Sequence, residues 1–188
     1  MRVVTCEGAA FSGACAELAA RVAAVYAPDV VIGVEDGGAW VTRELRRQSA
    51  FDAVYATVST QRSGTRTKAR TARLLSRLPL VIRDGLRLAE HAFRVHRAGR
   101  GAVPRRVVAF PEGTRAAVAL AHRVLIVDDA VDSGATLKAV LRQVETTTNA
   151  EVRTAALAMT FPQPVVAPDF VIYRNVLLRL PWSSDARS

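Results

Sequence analysis

The chain is 188 residues long and half apolar, enough for one domain with its own core, and no run of eighteen apolar residues exists to cross a membrane. Its net charge of +9 is unevenly placed: residues 62–123 hold fifteen basic side chains against three acidic ones, a net of +12, which leaves the remainder slightly acidic. Such a segment suits a polyanionic ligand, a diphosphate or a nucleic acid, while most of its arginines taken singly are expected to face water.

In chain order, Glu7 and Gly8 interrupt the apolar start, so no signal peptide is expected. Cys6 and Cys15 show neither metal spacing nor a disulfide framework, which predicts a reduced, cytoplasmic protein. Residues 12–26 place Leu18, Val22 and Val25 at helical spacing. An apolar strand over 29–34 runs into a Glu35-Asp36-Gly37-Gly38 turn, then a helix over 39–47 with Trp40, Val41 and Leu45 on one side. Residues 52–58 alternate as a strand, and the polar, glycine-containing stretch 59–68 predicts a mobile loop. Helical periodicity returns over 69–78 and 85–97, separated by Pro79. A short strand is expected over 105–110 and a helix over 114–121. Strand 124–127 and helix 135–145 follow, then strands 152–159 and 170–173 with Pro162, Pro164 and Pro168 between them. Strands alternating with helices predict an α/β fold, a parallel sheet flanked by helices, in one domain over 1–188 whose last residues, 183–188, form a disordered tail. Ligands in such sheets bind beyond the carboxyl ends of the strands, where both glycine turns, 35–38 and 132–136, fall.

The most informative stretch is the thirteen residues from Val124 to Thr136. The apolar run ends in two carboxylates, Asp128 and Asp129, and Asp132-Ser133-Gly134-Ala135-Thr136 then turns into a helix. Backbone N–H groups at such a turn lack intrahelical partners and point outward with the helix dipole behind them, an arrangement that suits a phosphate monoester. Paired acids suit a vicinal diol, since each accepts a hydroxyl hydrogen bond. Diol and phosphate together describe a phosphorylated ribose. Neither GxxxxGK[ST] nor GxGxxG occurs.

This stretch resembles the phosphoribosyl pyrophosphate (PRPP) signature of the type I phosphoribosyltransferases, and the ending Leu180-Pro181-Trp182 with Pro168-Asp169-Phe170-Val171 is similar to the hypoxanthine/xanthine-guanine branch. The resemblance covers nearly the whole chain. It implies the family's fold with a small hood subregion, transfer of 5-phosphoribosyl from PRPP to a heterocyclic nitrogen of a small-molecule acceptor, Mg2+, and a homodimer with no nucleic acid or membrane partner. Asp128 and Asp129 would hold the ribose hydroxyls, Asp129 also through Mg2+, and Ser133, Gly134, Ala135 and Thr136 the 5′-phosphate. Asp132 would manage the proton on the attacking nitrogen, where the plainer role is a helix N-cap. The loop after the first core strand would hold pyrophosphate through Asp36, Gly37 and Gly38, Asp36 by way of a hydrated Mg2+, with a non-proline cis peptide near Glu35–Asp36. Relatives commonly carry Arg or Lys where this chain has Asp36. Residues 57–68 match the closing loop, with Arg62, Arg66 and Lys68 to neutralise the leaving group.

The acceptor side departs from the family. The stretch Ala158-Met159-Thr160-Phe161-Pro162 lacks the lysine that reads a 6-oxo group, and Leu177 stands where an aromatic stacks on the base. Phe161, Tyr173 or Trp182 would have to supply a different base contact; Phe161 and Trp182 are the candidates kept. A charged hydrogen bond is worth about 1.5–3 kcal/mol and a stack about 0.5–1.5 kcal/mol, so roughly two to three powers of ten in acceptor affinity are at stake. Two rival functions remain: transfer to a non-nucleobase acceptor, and a PRPP-sensing regulator that binds nucleic acid through its basic segment.

Overall fold

The computed structural model describes residues 2–61 and 107–183. The loop residues Arg62, Arg66 and Lys68, both helices expected over 69–97, the hood they would form, and residues 184–188 lie outside this range. The elements are β1 (Arg2–Thr5), α1 (Gly8–Ala23), β2 (Val30–Val34), α2 (Gly37–Arg47), β3 (Val54–Gln61), β4 (Val107–Ala109), α3 (Glu112–Leu120), β5 (Arg123–Val131), α4 (Ala135–Glu145), β6 (Glu151–Met159), β7 (Phe170–Arg174) and β8 (Val176–Arg179). Six strands form one sheet in the order β4-β3-β2-β5-β6-β7, parallel except for β3 against β4. None of the described helices is long and apolar enough to cross a membrane.

The central strands are apolar on both faces because both faces are covered. Along β2 and β5, Val31, Leu125 and Val127 point into a core shared with α1 and α2. Their neighbours Val30, Ile32, Val34, Val124 and Ile126 point the other way, into a core shared with α3 and α4. A period of two along each strand thus feeds two separate layers.

The structure revises several expected boundaries. Helix α1 starts at Gly8 and stops at Ala23, so Val25 is 76% exposed instead of lying on the apolar face. The chain leaves the helix there to bury Tyr26, whose hydroxyl reaches the carbonyls of Glu151 at 2.7 Å and Val124 at 3.1 Å. Ser59, Thr60 and Gln61 belong to β3, not to a loop, because β4 pairs with them antiparallel. Strand β5 runs four residues past Val127, held by β6 as far as Val131 opposite Met159. On α2, Val41 and Leu45 are buried, but Trp40 is 45% exposed and departs from their face. Strands β1 and β8 were not expected; among the described residues they pair only with each other, Arg2 opposite Val176, and too few residues lie in either to show a pattern.

Helices α1 and α2 are joined by one acid. Glu44, 13% exposed, accepts from Ser12 Oγ at 2.7 Å, from Gln48 Nε2 at 2.8 Å and from Arg47 at 2.6 and 2.7 Å. The Arg47 and then the Ser12 hydrogen bonds pull its carboxyl down to about 2. A lowered folded-state pKa contributes stability above the ordinary Glu value and loses it as pH falls toward 2. Glu44→Gln should therefore cost about 1–2 kcal/mol in urea melts at neutral pH, discounted for the exposed arginine. The cost should shrink near pH 3; an equal cost at both pH values would refute this account of the junction.

Candidate functional site

Strand β2 continues through α2 to β3 on one side, while β5 continues through α4 to β6 on the other. The carboxyl ends of β2 and β5 are therefore adjacent strands whose connections diverge, which opens a crevice between them. The Glu35-Asp36-Gly37-Gly38 turn leaves β2 at this crevice, and the acids of β5 border it.

Asp128 and Asp129 lie inside β5, where Asp128 is 8% exposed. The Asp129 N–H donates to Asp128 Oδ1 at 2.9 Å, and the Ala130 N–H to Asp129 Oδ1 at 2.9 Å. Burial, and next the neighbouring Asp129 charge, push Asp128 well above the usual carboxylate range. Burial also raises Asp129, against hydrogen bonds from Asp128 and Trp182 that favour its ionised form. Burial therefore works against charge on this pair, and a cation or a set of hydroxyl donors would work for it.

The glycine pair has a packing role that its sequence position did not reveal. A Cβ on Gly37 would collide with the Asp129 carboxylate, and one on Gly38 with the Val127 carbonyl oxygen. Their missing side chains let α2 begin directly against the acids. Asp36 occupies the N-cap position of α2, is exposed, and follows a cis Glu35–Asp36 peptide, as the resemblance implied.

On the other side, α4 begins at Ala135 as expected, with Gly134 at its N-cap position and φ of 74°. A side chain there would be strained by its backbone and would also meet Val166 O at 2.5 Å. The connection after β6 crosses this turn, with the Val165 N–H donating to Ser133 O at 2.9 Å. Asp132 is thus not the N-cap residue. Its Oδ1 accepts from the buried Thr160 hydroxyl at 2.5 Å. The pairing of Val131 with Met159 places these next residues side by side. Nothing in the sequence ties position 160 to 132; the strand register does.

The base-contact candidates separate. Phe161 is 6% exposed at the start of the β6–β7 connection. Trp182 comes to Asp129 from the segment after β8, its Nε1–H donating to Asp129 Oδ2 at 3.2 Å. Its ring stacks on Trp40, so that stretch of α2 is in part covered by the chain itself. The structure brings together Asp128, Asp129, Gly37, Gly38 and Trp182; Asp132 to Thr136 follow directly on β5. Trp40 and Thr160 are the participants that sequence reading missed.

Among the described residues, no group of three or more His, Cys, Asp and Glu is arranged to hold a metal. Two adjacent carboxylates fit Mg2+ in another way, since that ion is commonly bound by one or two carboxylates together with substrate phosphates and waters.

Residues 7–182 match the family model described as the phosphoribosyl transferase domain. Among solved structures, a purine phosphoribosyltransferase from Pyrococcus horikoshii is 22% identical, with 97% of this chain and 95% of that one covered and a TM-score of 0.60. A Helicobacter pylori xanthine-guanine-hypoxanthine phosphoribosyltransferase is 16% identical over 96% and 93% of the chains, with a TM-score of 0.63. A hypothetical protein from Neisseria gonorrhoeae with bound ppGpp is 16% identical over 97% and 89%, with a TM-score of 0.58. These likenesses concern the fold. No curated protein matches the chain.

Proposed function

The chain belongs to the phosphoribosyl transferase domain family, and from that premise we propose that it transfers 5-phosphoribosyl from PRPP to a nitrogen of a purine-type nucleobase, releasing pyrophosphate. The observation that carries this reading is the meeting of the Asp128–Asp129 pair with the glycine-turned start of α4 at the crevice between β2 and β5.

Asp128 and Asp129 accept the ribose hydroxyls, and the first-turn amides of α4, from Ser133 to Thr136, hold the 5′-phosphate. Gly37 and Gly38 keep the α2 backbone close to the diphosphate side. Asp129 together with the diphosphate would hold Mg2+, which would supply charge neutralisation for the leaving group. Asp132 takes the proton that the attacking ring nitrogen must lose, and Thr160 keeps that carboxylate oriented. Arg62 and Lys68 belong to the leaving-group side of this reading by resemblance alone. Cys6 and Cys15 are both free and buried, in keeping with a reduced, cytoplasmic setting. The resemblance adds a homodimer, which sedimentation would test.

A purine acceptor is supported by what the solved relatives are named for. A second reading, transfer to a non-nucleobase amine, is favoured by the absence of a lysine from the stretch Ala158 to Pro162 and by Leu177 at the position where an aromatic would stack on the base. Pyrophosphate release measured with adenine, guanine, hypoxanthine, xanthine, uracil and orotate separates the two. Turnover with a purine supports the first reading, and silence with every base in a protein that binds PRPP supports the second. A protein that neither binds PRPP nor releases pyrophosphate refutes both.

A further inference from the structure

Tryptophan occurs twice in the chain, and both copies meet beside Asp129. The rings of Trp40 and Trp182 are stacked, with centroids 5.8 Å apart and planes 9° from parallel. Phe11 meets Trp182 edge to face at 5.5 Å and 86°. The Arg43 guanidinium lies over Trp40 at 4.6 Å. Phe11 comes from α1, Trp40 from α2 and Trp182 from the segment after β8, so three parts of the chain fix one indole. An indole nitrogen can only donate, and this one donates to Asp129 Oδ2 at 3.2 Å. The other oxygen, Oδ1, takes the Ala130 amide at 2.9 Å, and Gly37 abuts the carboxylate from α2.

We propose that Trp182 is a positioning residue: its N–H holds the Asp129 carboxylate in the orientation that receives the PRPP ribose and its Mg2+, and Trp40 and Phe11 hold Trp182. This rests on the reading of Asp128 and Asp129 as the ribose site. It differs from a role as base platform, because one ring face is taken by Trp40 and the only polar atom by Asp129. A carboxylate offers about four lone-pair sites and the indole N–H takes one, so this hydrogen bond orients the acid while leaving it able to take a ligand. Preorganisation of this kind shows in donor affinity more than in the chemical step.

The test uses the whole chain, PRPP with Mg2+, and calorimetry. Trp182→Phe keeps an aromatic ring and removes the donor, and should weaken PRPP binding about 10–100-fold. With a base that supports turnover, kcat at saturating PRPP should change by less than about 3-fold. In the Asp129→Ala background, Trp182→Phe should add less than about 2-fold, since the acceptor of its hydrogen bond is already gone. With Trp40→Phe the only indole is Trp182, and its emission should change on PRPP titration with the calorimetric midpoint. If Trp182→Phe lowers the thermal midpoint, benzothienylalanine at position 182 of the Trp40→Phe chain keeps the indole shape without the N–H and carries the same test. Unchanged PRPP affinity in the donor-less protein, or a loss that adds fully to that of Asp129→Ala, overturns the positioning role. Wild-type protein that fails to bind PRPP overturns the site reading beneath it.

Discussion

Asp132→Asn should lower turnover about 10²–10⁴-fold, the range for loss of a placed general acid or base, while PRPP affinity stays within a few-fold of wild type. Asparagine keeps an oxygen to accept from the Thr160 hydroxyl, so the 2.5 Å hydrogen bond between β6 and the turn survives in the variant. What disappears is the capacity to accept a proton. The plainer role for Asp132, capping α4, would have made stability the main casualty, at about 1 kcal/mol for loss of a cap. Gly134 holds the cap position instead, so the thermal midpoint should barely move. Steady-state kinetics with saturating PRPP, beside calorimetric PRPP titration, provide the check. Parallel loss of turnover and PRPP binding would show that Asp132 belongs to the donor pocket and not to the proton transfer.

Asp128→Asn should act on binding and stability in opposite directions. Asp128 is nearly inaccessible to water, and burial followed by the charges of Asp129 and Asp132 raises its pKa. An acid whose folded pKa is raised above its unfolded value favours folding while protonated, and that stability is lost as pH rises through the folded pKa. Asparagine has nothing to ionise, yet its oxygen can still accept the Asp129 N–H seen at 2.9 Å. In Mg2+-free buffer the variant should gain about 1–2 kcal/mol as pH rises above that pKa, which is roughly 2–8 °C in thermal midpoint for a chain of this size. The gain should vanish below about pH 3, where the wild-type acid is protonated in both states. The same change removes a charged acceptor from the ribose hydroxyls and should weaken PRPP about 10–100-fold. Thermal melts across pH and calorimetry read the two arms. A variant less stable than wild type at every pH would mean that the pair is held by a counter-charge and is not strained by burial.

Much of the architecture was legible in the residues because it is written in local periodicity. The apolar runs over β2 and β5 and the 3.6-residue pattern of α4 specify a two-sided parallel sheet. The turn from Asp132 to Thr136 carries its small residues at the helix start whatever the rest of the chain does. Short strands resisted this reading. Four residues of β1 and four of β8 hold too little pattern to be told from loop, and Ser59 to Gln61 became strand only because β4 supplies their ladder partners.

The side-chain partners at the site were not legible, since each joins residues far apart in the chain. Thr160 reaches Asp132 through the β5–β6 register, 28 positions away. Trp182 reaches Asp129 because the segment after β8 returns to the crevice, 53 positions away. The amino-acid sequence by itself determined which groups are available to hold a sugar phosphate: two acids, a glycine-bearing turn and a helix start in one register. Tertiary structure alone decided their environment: how deeply the acids are buried, why the glycines must lack side chains, and which distant donors hold each carboxylate. Burial and long-range hydrogen bonding depend on how separate segments pack, and no local window of sequence contains that information.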